Sequence, residues 1–500
     1  MSEEKKDEKK EAAATPQKYE KPKGAEAEKE IVINGEKRKY KINSDWIVLR
    51  KNEKPVAEIF YTRYALQGEE KKRPITFVFN GGPGASSAFL HLGAAGPYRI
   101  QLLPDGKPLA PPYELVENES TWLQFTDLVF IDPTATGLSR MIRDDKKDEK
   151  ELEAEKATFW KLKKDLDSIC EFIKLYLSEY KSWGAPICVA GESYGGYRTA
   201  KLATVLQQEY GVGLAGSIII SPALDLNGLH FHDYNTLPWI EIFPTMALAA
   251  AYHGKSQEKK EDETLTEFRQ RVCEFAMNSL LPVLAGGDLI DAEYRANVYD
   301  QVASYLGLEP KIVRMKEGRI AMDYFSKNLL RDEGKLIGLY DASQVISDPF
   351  FDREDYWGPE PSLHAMDPAF VSGINNLLTE VVGLKTDRIY TMLSEEANTT
   401  WKDDLSDHIL HKDLHSVDDL RFGICMNEGM GVFLTHGLFD QVTPSFSADR
   451  LLGLMKLTKE QKQRVTTRYY MGGHMFYSWE ESRKQFAADL AEFYKKYCSN

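Results

Sequence analysis

The sequence predicts an α/β protein: a mostly parallel sheet flanked by helices, with a helical insertion lying over it as a lid. Three observations predict it. Short apolar runs alternate with helical stretches from residue 75 to 220, as in Ile75-Thr-Phe-Val-Phe79, Leu128-Val-Phe-Ile131, Ile187-Cys-Val-Ala190 and Gly216-Ser-Ile-Ile-Ile220. Strands that are apolar on both sides, spaced by helices, belong to a parallel sheet covered on both faces. The rhythm stops between about 227 and 422 and returns with Gly431-Val-Phe-Leu434 and Val465-Thr-Thr-Arg-Tyr-Tyr470. Because both ends of the interruption rejoin one sheet, a lid is favoured over an independent second domain. Finally, several of these runs end in a loop that carries glycine, Asp or His, and open α/β sheets keep their chemistry at strand C-termini.

In chain order, residues 1–29 alternate Lys and Glu with Ala, Pro and Gly, and hold almost no large apolar group. Such a segment buries too little surface to offset its ordering entropy, so a disordered charged tail is expected. Ile31-Val-Ile-Asn34-Gly35 and Tyr40-Lys-Ile42 read as a hairpin on an Asn-Gly turn. Trp46-Ile-Val-Leu49 and Val56 to Ala65 read as a second pair, an antiparallel edge that leads into the sheet. Ala157 to Tyr180 has helical spacing, with Phe159, Leu162, Leu166, Ile169, Ile173 and Leu177 on one face. Inside the insertion, helices are expected over Leu265–Leu281, Asp291–Leu306 and Met322–Arg331, and a final helix over about Trp479–Tyr497. The expected division is a tail (1–29), the first part of the core (30–226), the insertion (227–422) and the second part of the core (423–500).

Composition narrows the function. The net charge of −14 offers no basic excess to neutralise phosphates, which argues against a nucleic-acid partner. No apolar run approaches the ~20 residues of a membrane span, and the charged N-terminus has no apolar core of a signal peptide. Five scattered cysteines without a C-x-x-C pair suggest neither a zinc site nor a disulfide framework. A cytoplasmic location follows as the expectation. A periplasmic or secreted one is the alternative, had an export signal been removed.

The chemistry centres on Gly191-Glu192-Ser193-Tyr194-Gly195, which follows an apolar strand and opens an amphipathic helix. That is the strand–turn–helix context of a G-x-S-x-G nucleophile elbow. The glycines are needed because the turn leaves no room for side chains beside the serine. A serine hydroxyl is a weak nucleophile and requires a base, itself oriented by a carboxylate. In the α/β-hydrolase arrangement these partners follow the serine in the order Asp, His, each past a strand end. Asp440 follows the strand at 431–434 and His474 sits in a glycine turn after the strand at 465–470. An oxyanion hole needs two amide donors. Tyr194 at the helix start supplies one, and Gly82, in Asn80-Gly-Gly-Pro-Gly84 after an upstream strand, is chosen for the other.

Taken together, Asn80-Gly-Gly-Pro-Gly-Ala-Ser-Ser87, Gly96-Pro97, Asn118-x-x-x-Trp122, Phe130-Ile-Asp-Pro133, Gly191-Glu-Ser-Tyr-Gly195, Asp440 and Gly472-Gly-His-Met475 resemble the serine carboxypeptidase family, in a bacterial-type member. The resemblance runs from about residue 75 to the C-terminus. It implies an α/β-hydrolase sheet with a helical insertion and release of C-terminal residues from peptides. It implies Ser193 as nucleophile, Asp440 and His474 as its partners, and the amides of Gly82 and Tyr194 as the oxyanion hole. It further implies that Asn80, Gly81 and Glu192 hydrogen-bond the substrate's terminal carboxylate. A carboxylate facing Glu192 is a like-charge pair that must share a proton.

Two positions depart from the family pattern. Ala85 stands where relatives usually carry Cys, so the disulfide usual in secreted relatives cannot form there. Ala94 stands where relatives carry a second Glu just before the Gly-Pro, which leaves Glu192 as the one acid and implies weaker carboxylate selection and a pH optimum nearer neutral. No cofactor and no metal are expected, and the partners expected are peptide substrates, without nucleic acid or membrane, a homodimer being left open. An esterase or acyltransferase on the same triad is the alternative enzyme. A protein that binds or protects a partner on this fold is the alternative from another class. The histidines of Asp407-His408-x-x-His411-x-Asp413-x-His415 and of His230-Phe-His232 read as solvated surface rather than ligands.

Overall fold

The computed structural model describes residues 19–33, 35–68, 73–142, 148, 150–151, 158–402 and 414–499. One sheet organises them. Its strands are β1 (Ala25–Ile33), β2 (Glu36–Lys51), β3 (Lys54–Leu66), β4 (Ile75–Phe79), β5 (Asp127–Ile131), β6 (Ile187–Glu192), β7 (Gly216–Ile220), β8 (Gly431–Gly437) and β9 (Val465–Tyr470). They lie in the order β1-β2-β3-β5-β4-β6-β7-β8-β9, and the short strand Arg140–Met141 pairs with β3. β1 to β3 are antiparallel, β3 meets β5 antiparallel, and every pairing from β5 to β9 is parallel. This is the mostly parallel, helix-flanked α/β-hydrolase sheet that the sequence predicts.

Period-two alternation sends the apolar strand residues to two separate cores. On one face Phe77, Val129, Val189, Ile219 and Leu434 pack against helices α1 (Leu162–Glu179) and α2 (Tyr194–Gln208). On the other, Val78, Phe130, Ala190, Ile218 and Phe433 meet Phe486, Leu490 and Phe493 of the closing helix α3 (Glu480–Tyr497). Burial on both faces is why these strands read as unbroken apolar runs.

Two expectations need correction. Residues 25–29 are strand, not tail. Their Glu/Lys alternation is a cross-strand pattern, in which Lys39 donates to Glu28 at 3.0 Å and Lys41 to Glu26 at 3.5 Å, and the exposed face of β1 is charged for that reason. Tyr19 and Lys21 also reach the sheet, donating to Glu58 and Asp45. Residues 1–18 lie outside the described residues. β2 is one continuous strand of 16 residues rather than two short ones.

The stretch 227–422 is mainly helical, but its two halves pack differently. Helices at Thr236–Tyr252, Leu265–Phe275, Ala292–Leu306 and Met322–Asn328 enclose a further core around Phe243, Phe268, Val302 and Phe325, which Leu438, Phe439 and Phe446 beyond β8 join. The second half sends Met366, Phe370, Ile374 and Leu378, on and just beyond the helix Leu363–Asn376, into the main core beside Phe89, Leu92 and Ile100. A two-stranded ribbon, Lys335–Ile337 with Val345–Ser347, joins the halves and leads past the ends of β8 and β9.

Candidate active site

The C-terminal ends of β4, β6, β7, β8 and β9 lie side by side, and the residues singled out in the sequence are at these ends. Glu192 ends β6 and Tyr194 begins α2, so Ser193 alone makes the turn, at φ 63° and ψ −124°. A non-glycine residue held there is strained, and the neighbourhood fixes it. The Ser193 amide donates to the Ile220 carbonyl at 2.9 Å, and its carbonyl accepts from Gly196 N at 2.9 Å. A Cβ on Gly191 would stand 2.1 Å from the Gly195 carbonyl oxygen, and one on Gly195 would stand 3.0 Å from the Asn80 backbone. The elbow therefore depends on both glycines. Its neighbours are buried, but Ser193 itself is partly open to solvent.

Asp440 and His474 meet directly: the His474 Nδ1 to Asp440 Oδ2 distance is 2.7 Å, with both side chains buried. Asp440 is held from its other side, where Oδ1 accepts from the amides of Val442 at 2.9 Å and Thr443 at 3.0 Å. The Thr443 hydroxyl lies 2.7 Å from Asp440 Oδ2, 2.9 Å from the Ser221 carbonyl and 3.0 Å from His474 Nδ1. The His474 backbone is clamped as well. Its amide donates to Tyr340 of the insertion at 2.6 Å, and its carbonyl accepts from Ser221 Oγ at 2.8 Å. Ser221 directly follows Ile220, the residue that anchors the Ser193 amide, so β7 ties the serine turn to the histidine turn. With Nδ1 engaged, Nε2 is the ring nitrogen left for chemistry. Burial works to lower the His474 pKa, but the charge and hydrogen bond of Asp440, with Glu192 beyond, outweigh it and hold the imidazole above its ordinary value.

Glu192 is a buried acid beside this pair. Asn80 Nδ2 donates to its Oε2, and the Tyr477 hydroxyl lies 3.0 and 2.8 Å from its two oxygens. Burial pushes its pKa up to about 7, against the nearby His474 charge and the Tyr477 bond, with the charge of Asp440 adding to the rise. Near neutral pH it is a carboxyl that can hold or give up a proton.

The Asn80–Gly84 loop lies directly against the elbow. A Cβ on Gly81 would stand 2.5 Å from Tyr194 N, and Gly82 has φ +96°, a conformation suited to glycine. Tyr194 N, the first amide of α2, has no intrahelical acceptor. The Asn80 carbonyl is held at 2.8 Å by Arg198, which is fully buried and bidentate on Asp165 at 2.7 and 2.9 Å. Asn80 Oδ1 accepts from Leu90 N at 3.0 Å.

The sequence thus leads to Asn80, Gly81, Gly82, Glu192, Ser193, Tyr194, Asp440 and His474, and the structure brings all eight to one end of the sheet. It also shows residues that the sequence reading missed: Arg198, Asp165, Thr443, Tyr477 and Tyr340. Thr443, three residues after Asp440, follows the spacing of an Asx-type turn and carried a weak signal. The others carried none. His408 and His411 lie outside the described residues. His415 pairs loosely with Asp418 at 3.9 Å, and His230 and His232 are not buried.

A family model described as serine carboxypeptidase matches residues 35–317. The chain belongs to the serine carboxypeptidase family. That match contains Asn80, Ala94 and Ser193 but ends before Asp440 and His474, whose pairing is an observation of geometry. Among serine carboxypeptidase relatives, the pheromone-processing carboxypeptidase KEX1 of Saccharomyces cerevisiae is 34% identical over 130 residues, 25% of this chain and 16% of its own. The KEX1 of Yarrowia lipolytica is 29% identical over 232 residues, 45% of this chain and 33% of its own. A carboxypeptidase Y homolog of Arthroderma benhamiae is 29% identical over 173 residues, covering 34% and 30%. The aligned parts therefore span a third or less of these relatives. The crystal structure of the Saccharomyces cerevisiae KEX1(delta)p prohormone-processing carboxypeptidase shares the fold, with a TM-score of 0.53, 16% identity and 91% of each chain covered.

Proposed function

We propose that this protein is a serine carboxypeptidase that releases C-terminal residues from peptides through an acyl-enzyme on Ser193. The observation that carries the reading is the buried Glu192, a proton-holding carboxyl immediately before the nucleophile and within electrostatic reach of His474. An enzyme that binds a terminal carboxylate has a use for an acid that can share a proton with it. In this reading His474 Nε2 takes the proton from Ser193 Oγ as Oγ attacks the carbonyl carbon of the last peptide bond. The developing oxyanion is met by the amides of Gly82 and Tyr194. His474 returns the proton to the departing nitrogen, the terminal residue leaves, and water activated by the same imidazole releases the shortened peptide. Asn80, Gly81 and Glu192 hold the terminal carboxylate meanwhile. The partners are peptides; nucleic acid, membrane and a cofactor play no part, and a homodimer remains an assembly to be tested by light scattering.

A second reading, an esterase or acyltransferase on the same triad, is favoured by Ala94, buried where a second acid is usual. One experiment separates the readings, and with them a protein that merely binds. A fluorophosphonate probe labels the wild type and not Ser193→Ala if the serine is a nucleophile; equal labelling sinks both enzyme readings. An N-blocked dipeptide acid, its C-terminal amide and its ester are then compared. Cleavage of the amide as fast as the acid would refute the exopeptidase reading.

The same substrates give a pH prediction. A terminal carboxylate binds the protonated form of Glu192, so KM for the acid stays flat below about pH 7 and rises about tenfold per unit above it. His474 must be neutral to act as base, and its pKa is raised, so kcat falls on the acidic side. kcat/KM for the acid is expected to peak near neutrality, and the ester to stay active at higher pH. A peak for the acid at pH 4–5 would contradict this assignment.

We also infer a bacterial-type member working in a reducing, cytoplasmic compartment. Ala85 in place of the usual cysteine and five free cysteines support it, and thiol titration of the denatured protein checks the count. The relatives named above are fungal.

A further inference from the structure

Two residues after His474 the chain turns through the short segment Phe476–Ser478 and sends the Tyr477 side chain back beneath the nucleophile elbow. The ring is fully buried. Its hydroxyl lies 3.0 Å from Glu192 Oε1 and 2.8 Å from Oε2, a two-point contact. The ring has room because position 93 is glycine: a Cβ there would stand 2.5 Å from Tyr477 Cε2. The next residue is Ala94, itself buried, the position at which the family pattern leads one to expect a second glutamate. A phenol therefore reaches Glu192 from beside the helical turn His91–Ala95, where the pattern would place another acid.

We propose that Tyr477 is the positioning residue for Glu192 and takes the place of the missing second acid, so that a peptide's terminal carboxylate meets a single acid whose orientation a phenol fixes.

The chemistry differs from that of two acids in a defined way. Two neighbouring carboxyls and a substrate carboxylate bind together only while enough protons are shared among them, which confines recognition to acidic pH. Tyr477 brings no second titration to that range, since burial and the Glu192 charge push its hydroxyl well above the usual phenol value. It remains a donor throughout, fixing the orientation of Glu192 while the proton exchanged with substrate belongs to Glu192 alone. The groups that face Glu192 are Asn80 from the loop after β4, Tyr477, and the charges of His474 and Asp440 from beyond β9 and β8. Tyr477 is the one of these that belongs neither to the triad nor to the Asn80–Gly84 loop, although its hydroxyl also meets the Asn80 side chain. The proposal rests on the reading that Glu192 binds the terminal carboxylate.

The test compares wild type, Tyr477→Phe and Glu192→Gln, each measured for kcat and KM across pH with an N-blocked dipeptide acid and its methyl ester, alongside Tm. In Tyr477→Phe the ionised form of Glu192 loses a donor, so the alkaline limb of kcat/KM for the acid moves up by about one pH unit. Below the limb, KM for the acid rises several-fold because Glu192 is no longer held, and the acid changes relative to the ester. Replacing Tyr477 by 3-fluorotyrosine keeps the bond and strengthens the donor, so the limb moves the opposite way; this variant serves if the phenylalanine form does not fold. A limb that stays in place while Glu192→Gln alters the acid's profile overturns the role of Tyr477 and leaves the carboxypeptidase reading standing. So does a parallel loss on acid and ester with a lowered Tm, which marks a purely structural part. If Glu192→Gln leaves the acid's profile unchanged, the reading of Glu192 falls and this proposal with it.

Discussion

His474→Ala is expected to lower kcat by about six orders of magnitude, and Asp440→Asn by about four, on the pattern of serine enzymes whose triads act as a unit. The second figure follows from the local hydrogen bonds. Asp440 Oδ1 accepts from two amides, those of Val442 and Thr443. An asparagine at 440 must turn its carbonyl oxygen to them, since its NH2 group would face two donors. That places the NH2 against His474 Nδ1, which becomes the acceptor, and the ring proton moves to Nε2. The base is then absent in the tautomer that results. Four orders of magnitude correspond to about 5–6 kcal/mol of lost transition-state stabilisation, whereas substrate affinity, which involves neither atom, should change a few-fold at most. Single-turnover kinetics with an N-blocked dipeptide ester, together with circular dichroism to confirm folding, would check both variants. A loss of less than tenfold in either would mean that these residues are not the base and its orienter.

Ser193, Asp440 and His474 were legible because each is set off by an apolar strand before it and by glycine or a turn around it. Those are backbone requirements, and backbone requirements leave a mark on neighbouring residues. β4, β6, β7 and β8 were legible for a related reason, since burial on both faces removes every polar interruption. β1 was misread because its Glu26, Glu28 and Glu30 face solvent beside Lys39 and Lys41, and an exposed edge strand has the composition of a solvated tail. Tyr477 and Glu192 meet across 285 positions, and Arg198 meets Asp165 across 33. Contacts of that kind leave nothing local to read. The insertion was legible as helical, but which of its helices join the main core was not. Phe370 and Ile374 have the same spacing whether they meet a lid or a sheet.

Arg198→Met should be the most destabilising single change around the site, by about 3–5 kcal/mol. Arg198 is fully buried and holds Asp165 through two bonds, while its third reaches the Asn80 carbonyl. A methionine fills similar volume but removes the two Arg198 bonds to the buried Asp165 carboxylate, whose desolvation is then offset less. The Tyr194 ring, 4.7 Å below the guanidinium, loses its cation as well. Catalysis should fall separately, because the Asn80–Gly84 loop loses the donor that fixes its first carbonyl beside the amides of Gly82 and Tyr194. The double replacement Arg198→Met with Asp165→Leu distinguishes the two effects. Removing both charges should restore most of the thermal stability, since a buried ion pair exchanged for apolar groups of similar size costs little. It should not restore kcat, because the Asn80 carbonyl still has no donor. Melting temperature and kcat measured on the single and double variants report this directly. Recovery of both together would show that the guanidinium serves the core alone, whereas recovery of stability without activity would place Arg198 as the strut that carries the proposed oxyanion loop.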